Sequence, residues 1–328
     1  MILAGDVGGT NVRLALFEVE GERLVTRERA KFCSRDVAGL ESAVERFLEG
    51  TGRVSAAGFG VAGPVRTGRC EATNLPWVVD AAVLAARLGL PRVVLVNDLV
   101  ANALGLDELS PSDFALVNAG DEDPEGNRAL VSAGTGLGEA FVVRDGARWI
   151  PQPSEGGHAS FAPRNPAEIE LLRWLKEKYS HVSIERVVSG PGLARVYHFE
   201  RERSALPEPA WLSEEIARDA PPAVSKAALE RKDSVAQRAL ERWVSIYGGE
   251  AGNLALKILA TAGVYLGGGI APKVLPMLVD GTFFGAFCDK GRFGPLLAKI
   301  PVKVVLNDGC ALLGAARAAA GAKTEARP

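Results

Sequence analysis

Residues 2–17, ILAGDVGGTNVRLALF, decide how the rest of the chain is read. An apolar stretch ends at Asp6, glycines stand at positions 8 and 9, and apolar residues then return in alternation. Val12, Leu14 and Leu16 can face one way while Arg13, Ala15 and Phe17 face the other, so the segment is expected to form a β-hairpin turning at Gly8 and Gly9. The plain reading of GDVGGTN is a tight hairpin and nothing more. A chemical reading stands beside it. Gly8 and Gly9 let backbone N–H groups approach phosphate oxygens, Thr10 and Asn11 add side-chain donors, and Asp6 would stand near a metal ion and its waters. No G-K-[ST] follows, so this is not the Walker phosphate loop.

Outward from the hairpin, apolar runs alternate with helical patterns. A helix is expected over about residues 39–49 with Gly50 as its stop, then a strand near Val54–Val61. A turn region runs through Asn74, and an alanine-rich helix opens at Asp80 and closes at Gly89. The strand PRVVLVND runs into the helix LVANALGL, and such alternation argues for α/β architecture with partly parallel strands. ALVSAGTGLGEAFVV repeats the strand, small-residue turn, strand pattern of the opening. VVLVNDLVANALG near 93–105 echoes VKVVLNDGCALLGA near 302–315, which suggests two related halves. Helical patterns cover PAEIELLRWLKEKY and Ala223–Lys257 before the strand GVYLGGG. No linker or low-complexity tract marks a boundary between the halves.

With 328 residues the chain is long enough for two domains at ~150 residues each. Its 38 lysines and arginines against 40 acids give a net charge of −2, so no basic excess favours nucleic acid. No stretch approaches the ~18 consecutive apolar residues of a membrane span, and Asp6 interrupts the N-terminal apolar stretch before a signal-peptide core can form. Neither a membrane nor export is expected. Cys33, Cys70, Cys288 and Cys310 lie far apart, spelling neither a zinc knuckle nor a redox pair, and reduced thiols fit a cytoplasmic protein.

Glycine, at 37 residues, is the informative excess. Gly58, Gly60 and Gly63 spell the dinucleotide fingerprint G-x-G-x-x-G, but Pro64, Gly68 and Pro76 intervene before helical pattern returns. Close strand packing or a bend is the better reading. Gly134, Thr135, Gly136 and Gly138 form a second concave set of donors, able with the first turn to clamp a polyphosphate. Gly267–Gly269 end a strand before Ile270-Ala271-Pro272, a turn without side chains that suits a nucleoside base or ribose.

Asn97 and Asp98 end one strand and open a helix, where open α/β sheets expose ligands. Asp98 could be catalytic or an ordinary N-cap, and Asp308 fits the same description. SEGGH supplies Glu155 and His158, and ERVVSGPG supplies Glu185. With only three histidines and no H-E-x-x-H, no metal-ligating residues are assigned.

The order of GDVGGTN, TNLPW (Thr73–Trp77), VND (Val96–Asp98), AGTGLG, SEGGH, ERVVSGPG, GNLAL and YLGGGIAP resembles the bacterial glucokinase family, within the actin-like sugar-kinase superfamily. The resemblance spans Gly5 to about Pro272, and the C-terminal strand and helix look similar too. Residues 200–232 and 121–127 carry little of it, and Ser160 stands where the family often has an acid.

The resemblance implies an α/β fold of two actin-like (ribonuclease H-like) domains with a cleft between them. A small domain at 1–108 would be completed by 303–328, and a large domain would span 109–302. It implies ATP-dependent phosphorylation of D-glucose to glucose 6-phosphate, the first step of glycolysis, with Mg²⁺. It chooses Asp98 as general base and assigns sugar hydroxyls to Asn97, Asp98, Glu155, His158 and Glu185. Gly5, Asp6, Val7, Gly8, Gly9, Thr10, Asn11, Gly134, Thr135, Gly136, Gly268 and Gly269 would hold the nucleotide. It also implies a homodimer and closure of the domains over glucose. Competing readings are a kinase for another hexose or a broad-specificity hexokinase, a sugar-sensing regulator, for which no DNA-binding domain is expected ahead of the first strand, and a sugar-independent actin-like ATPase.

Overall fold

A computed structural model describes residues 1–50, 53–72, 75–146 and 148–325. Thr73 and Asn74 of the TNLPW segment, and the last three residues of the expected C-terminal segment, lie outside the described residues. The chain divides into two compact units, one of Met1–Asp113, Pro151–Pro153 and Asn307–Pro328, the other of Phe114–Ile150 and Ser154–Leu306.

The first unit opens with β1 (Ile2–Val7), β2 (Asn11–Glu20) and β3 (Arg23–Cys33), followed by α1 (Leu40–Leu48) and β4 (Ala56–Val61). A small antiparallel sheet of β5 (Val65–Arg66), β6 (Arg69–Glu71) and β7 (Val78–Asp80) leads to α2 (Ala81–Leu88), β8 (Val94–Asn97) and α3 (Asp98–Gly105). The main sheet has the order β3-β2-β1-β4-β8, with β1 and β2 antiparallel and β1, β4 and β8 parallel. The alternation expected of β2 holds. Val12, Leu14 and Leu16 join the core under α1, whereas Ala15 and Phe17 belong to a second apolar cluster on the opposite face. The caps expected for α2 also hold: Asp80 Oδ1 accepts the Ala82 and Val83 amides, and Gly89 ends the helix at φ 63°.

The second unit contains β9 (Phe114–Asn118), β10 (Arg128–Ala133), β11 (Leu137–Asp145) and, apart from Pro151–Pro153, β12 (Arg148–Ser154). Then come α4 (Pro166–Lys176), α5 (Gly190–Glu202), α6 (Ala210–Leu229) and α7 (Ser234–Ile258). β13 (Gly263–Gly267), α8 (Leu275–Leu278), α9 (Thr282–Cys288), α10 (Gly294–Leu297) and β14 (Val302–Val305) complete it. Its sheet runs β12-β11-β10-β13-β14-β9. The first five strands of this order repeat β3-β2-β1-β4-β8, with a glycine-turned antiparallel hairpin and two parallel strands in the same places. The echo between residues 93–105 and 302–315 is thus structural, because β8 and β14 occupy corresponding positions.

The two copies then differ. Helix α3 begins at once after β8, whereas four residues separate β14 from the C-terminal helix α11 (Cys310–Glu325). That helix packs in the first unit, against α3, β1 and β4. Small residues allow the approach: a β-carbon on Gly58 would stand 2.2 Å from the Ala315 carbonyl oxygen, and one on Gly60 would stand 2.7 Å from Ala101 Cβ. Gly58 and Gly60 are therefore packing glycines, and Gly63 sits in a bend at φ 136°, as their context suggests. No helix among the described residues is long and apolar enough to cross a membrane.

Candidate active site

In the first unit, parallel strands deliver functional groups to one sheet edge. Asp6 sits near the carboxyl end of β1 in register with Gly60 of β4, and the next β4 residue, Val61, is in register with Asn97 of β8. Across the hairpin Asp6 faces Arg13, whose Nη1 donates to Asp6 Oδ2 at 3.0 Å. Burial pushes the Asp6 carboxyl above its usual range, Arg13 offsets part of this, and the charge of Asp308 adds to the rise. The turn itself is braced: Gly8 N–H donates to the Asn11 carbonyl, Ser34 Oγ donates to the Gly8 carbonyl, and Ser34 N–H donates to the Thr10 carbonyl, each at 3.0 Å. Thr10 is exposed and Asn11 half-buried. Gly5 and Val7 lie inside the sheet, where a β-carbon on Gly5 would stand 2.3 Å from the Phe59 ring.

At the end of β8 the N-cap is Asn97, not Asp98. Asn97 Oδ1 accepts the Leu99 and Val100 amides at 2.9 and 3.4 Å, and its Nδ2 donates to the Gly63 carbonyl at 3.1 Å. Asp98 is the first residue of α3, half-buried, with Oδ1 3.0 Å from the Leu99 amide. The reading of Asp98 as an ordinary cap is corrected, since its neighbour performs that task. Asp308 has no such setting: its side chain is 79% exposed and lies 3.8 Å from Arg29.

In the second unit the β10–β11 turn gathers the remaining groups. A β-carbon on Gly134 would meet nothing within 4 Å, leaving the turn open on that side. On the other side it is anchored, because Gly134 N–H donates to the Gly136 carbonyl and Gly190 N–H donates to the Gly134 carbonyl, both at 2.8 Å. Glu185 reaches the same turn, accepting the Leu137 amide on Oε2 at 3.0 Å. Ser189 Oγ donates to the Glu185 carbonyl and accepts the Gly192 amide, which caps α5 and fixes the ERVVSGPG segment. Gly268 alone among the expected nucleotide glycines is held at positive φ, 82°, and its β-carbon would stand 2.3 Å from the Ala133 carbonyl oxygen. Gly269 is open.

Glu155 precedes and His158 ends a single 3-10 turn, Gly156–His158, and both side chains are exposed, 3.9 Å apart. His181 Nε2 contacts the His158 carbonyl at 3.0 Å. Ser160, where an acid was expected from the resemblance, bridges Ser183 through its backbone.

Sequence reasoning did not single out three residues of these sites. Arg13 could have been found from its place opposite Asp6 in a hairpin, and Ser34 carries no sequence signal. Glu139, a charge in the otherwise apolar start of β11, is 1% exposed.

No group of three or more His, Cys, Asp and Glu is arranged to hold a metal among the described residues. Mg²⁺ needs no such group, since it commonly binds through one or two carboxylates together with substrate phosphates and waters. Asp6 provides such a carboxylate beside the first turn.

A family model described as Glucokinase matches residues 3–322. A glucokinase of Nostoc sp. is 39% identical over 338 residues, covering 98% of this chain and 99% of the relative. The crystal structure of a glucokinase from an Antarctic psychrotroph has a TM-score of 0.84 at 29% identity, covering 98% of each chain. A ROK family glucokinase from Streptomyces griseus, in complex with glucose and AMPPNP, shares the fold with a TM-score of 0.67 at 22% identity, covering 98% of this chain and 99% of that one.

Proposed function

The chain belongs to the glucokinase family, and we propose from that premise that it transfers the γ-phosphoryl group of ATP to the 6-hydroxyl of D-glucose. The products are glucose 6-phosphate and ADP. The observation that carries this reading is the family match across residues 3–322, with related proteins that align end to end. ATP as donor is supported by the AMPPNP and glucose held by the Streptomyces griseus relative.

Asp98 is the general base. Its carboxylate takes the proton of the sugar 6-hydroxyl as that oxygen attacks the γ-phosphorus and the bond to the β–γ bridging oxygen breaks. Asn97, already committed to capping α3, retains a second amide N–H for a neighbouring hydroxyl. Glu155, His158 and Glu185 hold the other hydroxyls, each carboxylate accepting up to two. The Gly8–Asn11 turn and the Gly134–Gly136 turn present backbone donors to the phosphates, and the open side of Gly134 leaves them room. Asp6 would hold Mg²⁺, and that ion, when bound, supplies neutralisation of charge on the phosphate oxygens. Phosphoryl transfer asks for alignment and electrostatics rather than covalent work, and this reading asks no covalent step of these groups.

A coupled assay of ADP release with glucose, fructose, mannose and N-acetylglucosamine, repeated with polyphosphate in place of ATP, tests the reading. ADP release that depends on glucose is expected. Release indifferent to sugar would place the chain among sugar-independent ATPases, and binding of sugar without turnover would place it among sensors.

A further inference from the structure

Leu137 and Glu139 stand two apart on β11 and so share one face of the strand. The Glu155–His158 loop lies along that face. A β-carbon on Gly157 would stand 2.0 Å from the Leu137 carbonyl oxygen, and one on Gly156 would stand 2.0 Å from Glu139 Oε2. The Gly156 amide is turned to Ser154 Oγ at 2.9 Å, not to the carboxyl. Neither Glu139 oxygen receives an N–H or O–H donor among the described residues, although the residue is only 1% exposed; the one group within hydrogen-bond reach is the Glu250 carboxylate, which a protonated Glu139 can engage. Such a group is costly to bury, and a charge there more so.

We propose that Glu139 is a positioning residue for the sugar loop, seating Gly156 so that Glu155 and His158 are held where they take sugar hydroxyls. The inference rests on the reading of Glu155 and His158 as sugar-holding groups. Glu139 touches no substrate in this scheme and acts through the loop.

The groups around it set its protonation. From α7, Glu250 faces it with a like charge, Lys257 with an opposite one, and the buried Tyr247 senses its charge. On the loop itself the Glu155 and His158 side chains are exposed. Burial first and Glu250 second push the Glu139 carboxyl up to about 7. A neutral carboxyl packs quietly beneath Gly156; an ionised one puts a second negative charge opposite Glu250 and drives the two apart. The loop is therefore seated best below neutral pH.

The test is the KM for glucose and for ATP between pH 6 and 9 in the wild type, Glu139→Gln, Glu139→Ala and Glu155→Gln. In the wild type the glucose KM rises above pH 7, by at most about tenfold per pH unit for one proton, while the ATP KM stays level. Glu139→Gln, which cannot ionise, loses that rise, and Glu139→Ala raises the glucose KM at every pH. Superimposable pH profiles for wild type and Glu139→Gln overturn the inference, as does a Glu139→Gln effect equal on both substrates. If Glu139→Ala fails to fold, Glu139→Gln decides. A Glu155→Gln enzyme with unchanged glucose KM fails the sugar-loop reading itself, and the inference with it. A raised glucose KM there, with Glu139→Gln tracking the wild type, fails only the role of Glu139.

Discussion

Glu185 accepts the Leu137 amide at 3.0 Å, and its Oε2 stands 2.5 Å from where a β-carbon on Gly136 would lie. The carboxylate assigned to a sugar hydroxyl is thus pinned to the turn assigned to phosphate. Removing it leaves a turn amide without its acceptor, a loss of about 1.5–3 kcal/mol for a bond to a charged group. Glu185→Ala should therefore raise the KM for glucose and for ATP together, each by roughly tenfold or more. Glu185→Gln keeps an oxygen for the Leu137 amide and should restore most of the ATP term. The Glu155 carboxylate is exposed and lies 3.9 Å from His158, so Glu155→Gln should weaken glucose alone. Initial rates with each substrate varied in turn check this, and an unchanged ATP KM in Glu185→Ala would contradict it.

Asp98→Asn separates the chemistry from the structure. The amide oxygen can still approach the Leu99 N–H, as Asp98 Oδ1 does at 3.0 Å, and the cap on α3 comes from Asn97. The helix should stay folded while the proton acceptor is lost, lowering kcat by at least ~10²-fold, the scale of a general base. Steady-state rates beside circular dichroism decide it; near-normal turnover by a folded variant removes Asp98 from the role.

Where local rules suffice, the sequence is read correctly. Alternation along β2 sorts Val12, Leu14 and Leu16 from Ala15 and Phe17 because a strand's side chains have no other choice, and Asp80 and Gly89 bound α2 because capping is a local bond. Non-local partners leave a weaker trace. Spacing alone could not tell Asp98 from Asp308, because what separates them is the setting: Asp98 opens a helix capped by Asn97 and Asp308 projects into solvent. The strand β14 and helix α11 follow each other in sequence, yet the strand pairs with β13 and β9 while the helix packs on β1 and β4. No composition shift marks that parting. Glu139 was invisible for a related reason: burial of a charge is a property of the assembled unit, and a single Glu in a strand usually reads as a solvent-facing position.

The crossing of α3 and α11 depends on small residues. A β-carbon on Gly314 would stand 1.7 Å from the Ala101 carbonyl oxygen, and one on Gly105 would stand 2.0 Å from the Cys310 carbonyl oxygen. Backbone cannot yield as a side chain does, so Gly314→Ala forces the helices apart and should cost on the order of 2–4 kcal/mol. Gly321, on the same helix, has nothing within 4 Å of its β-carbon position. Gly321→Ala should be neutral or stabilising by up to ~1 kcal/mol through helix propensity. Thermal unfolding of the pair measures the contrast, and equal melting temperatures would refute the close crossing.

Glu139 also makes stability depend on pH. Its carboxyl is raised from 4.5 to about 7 in the folded chain, chiefly by burial and then by Glu250. Between those values the folded state holds a proton that the unfolded state has released, so stability falls as pH rises through the window and levels off above it. At one pKa unit per ~1.4 kcal/mol the full loss is on the order of 3 kcal/mol. Glu139→Gln carries no such proton. It should match the wild type near pH 5 and melt several degrees higher near pH 8.5, as expected for a stability gain of that order in a chain of this size. Melting curves at both pH values check this, and a variant that trails the wild type by the same margin at each would mean that Glu139 is ionised throughout.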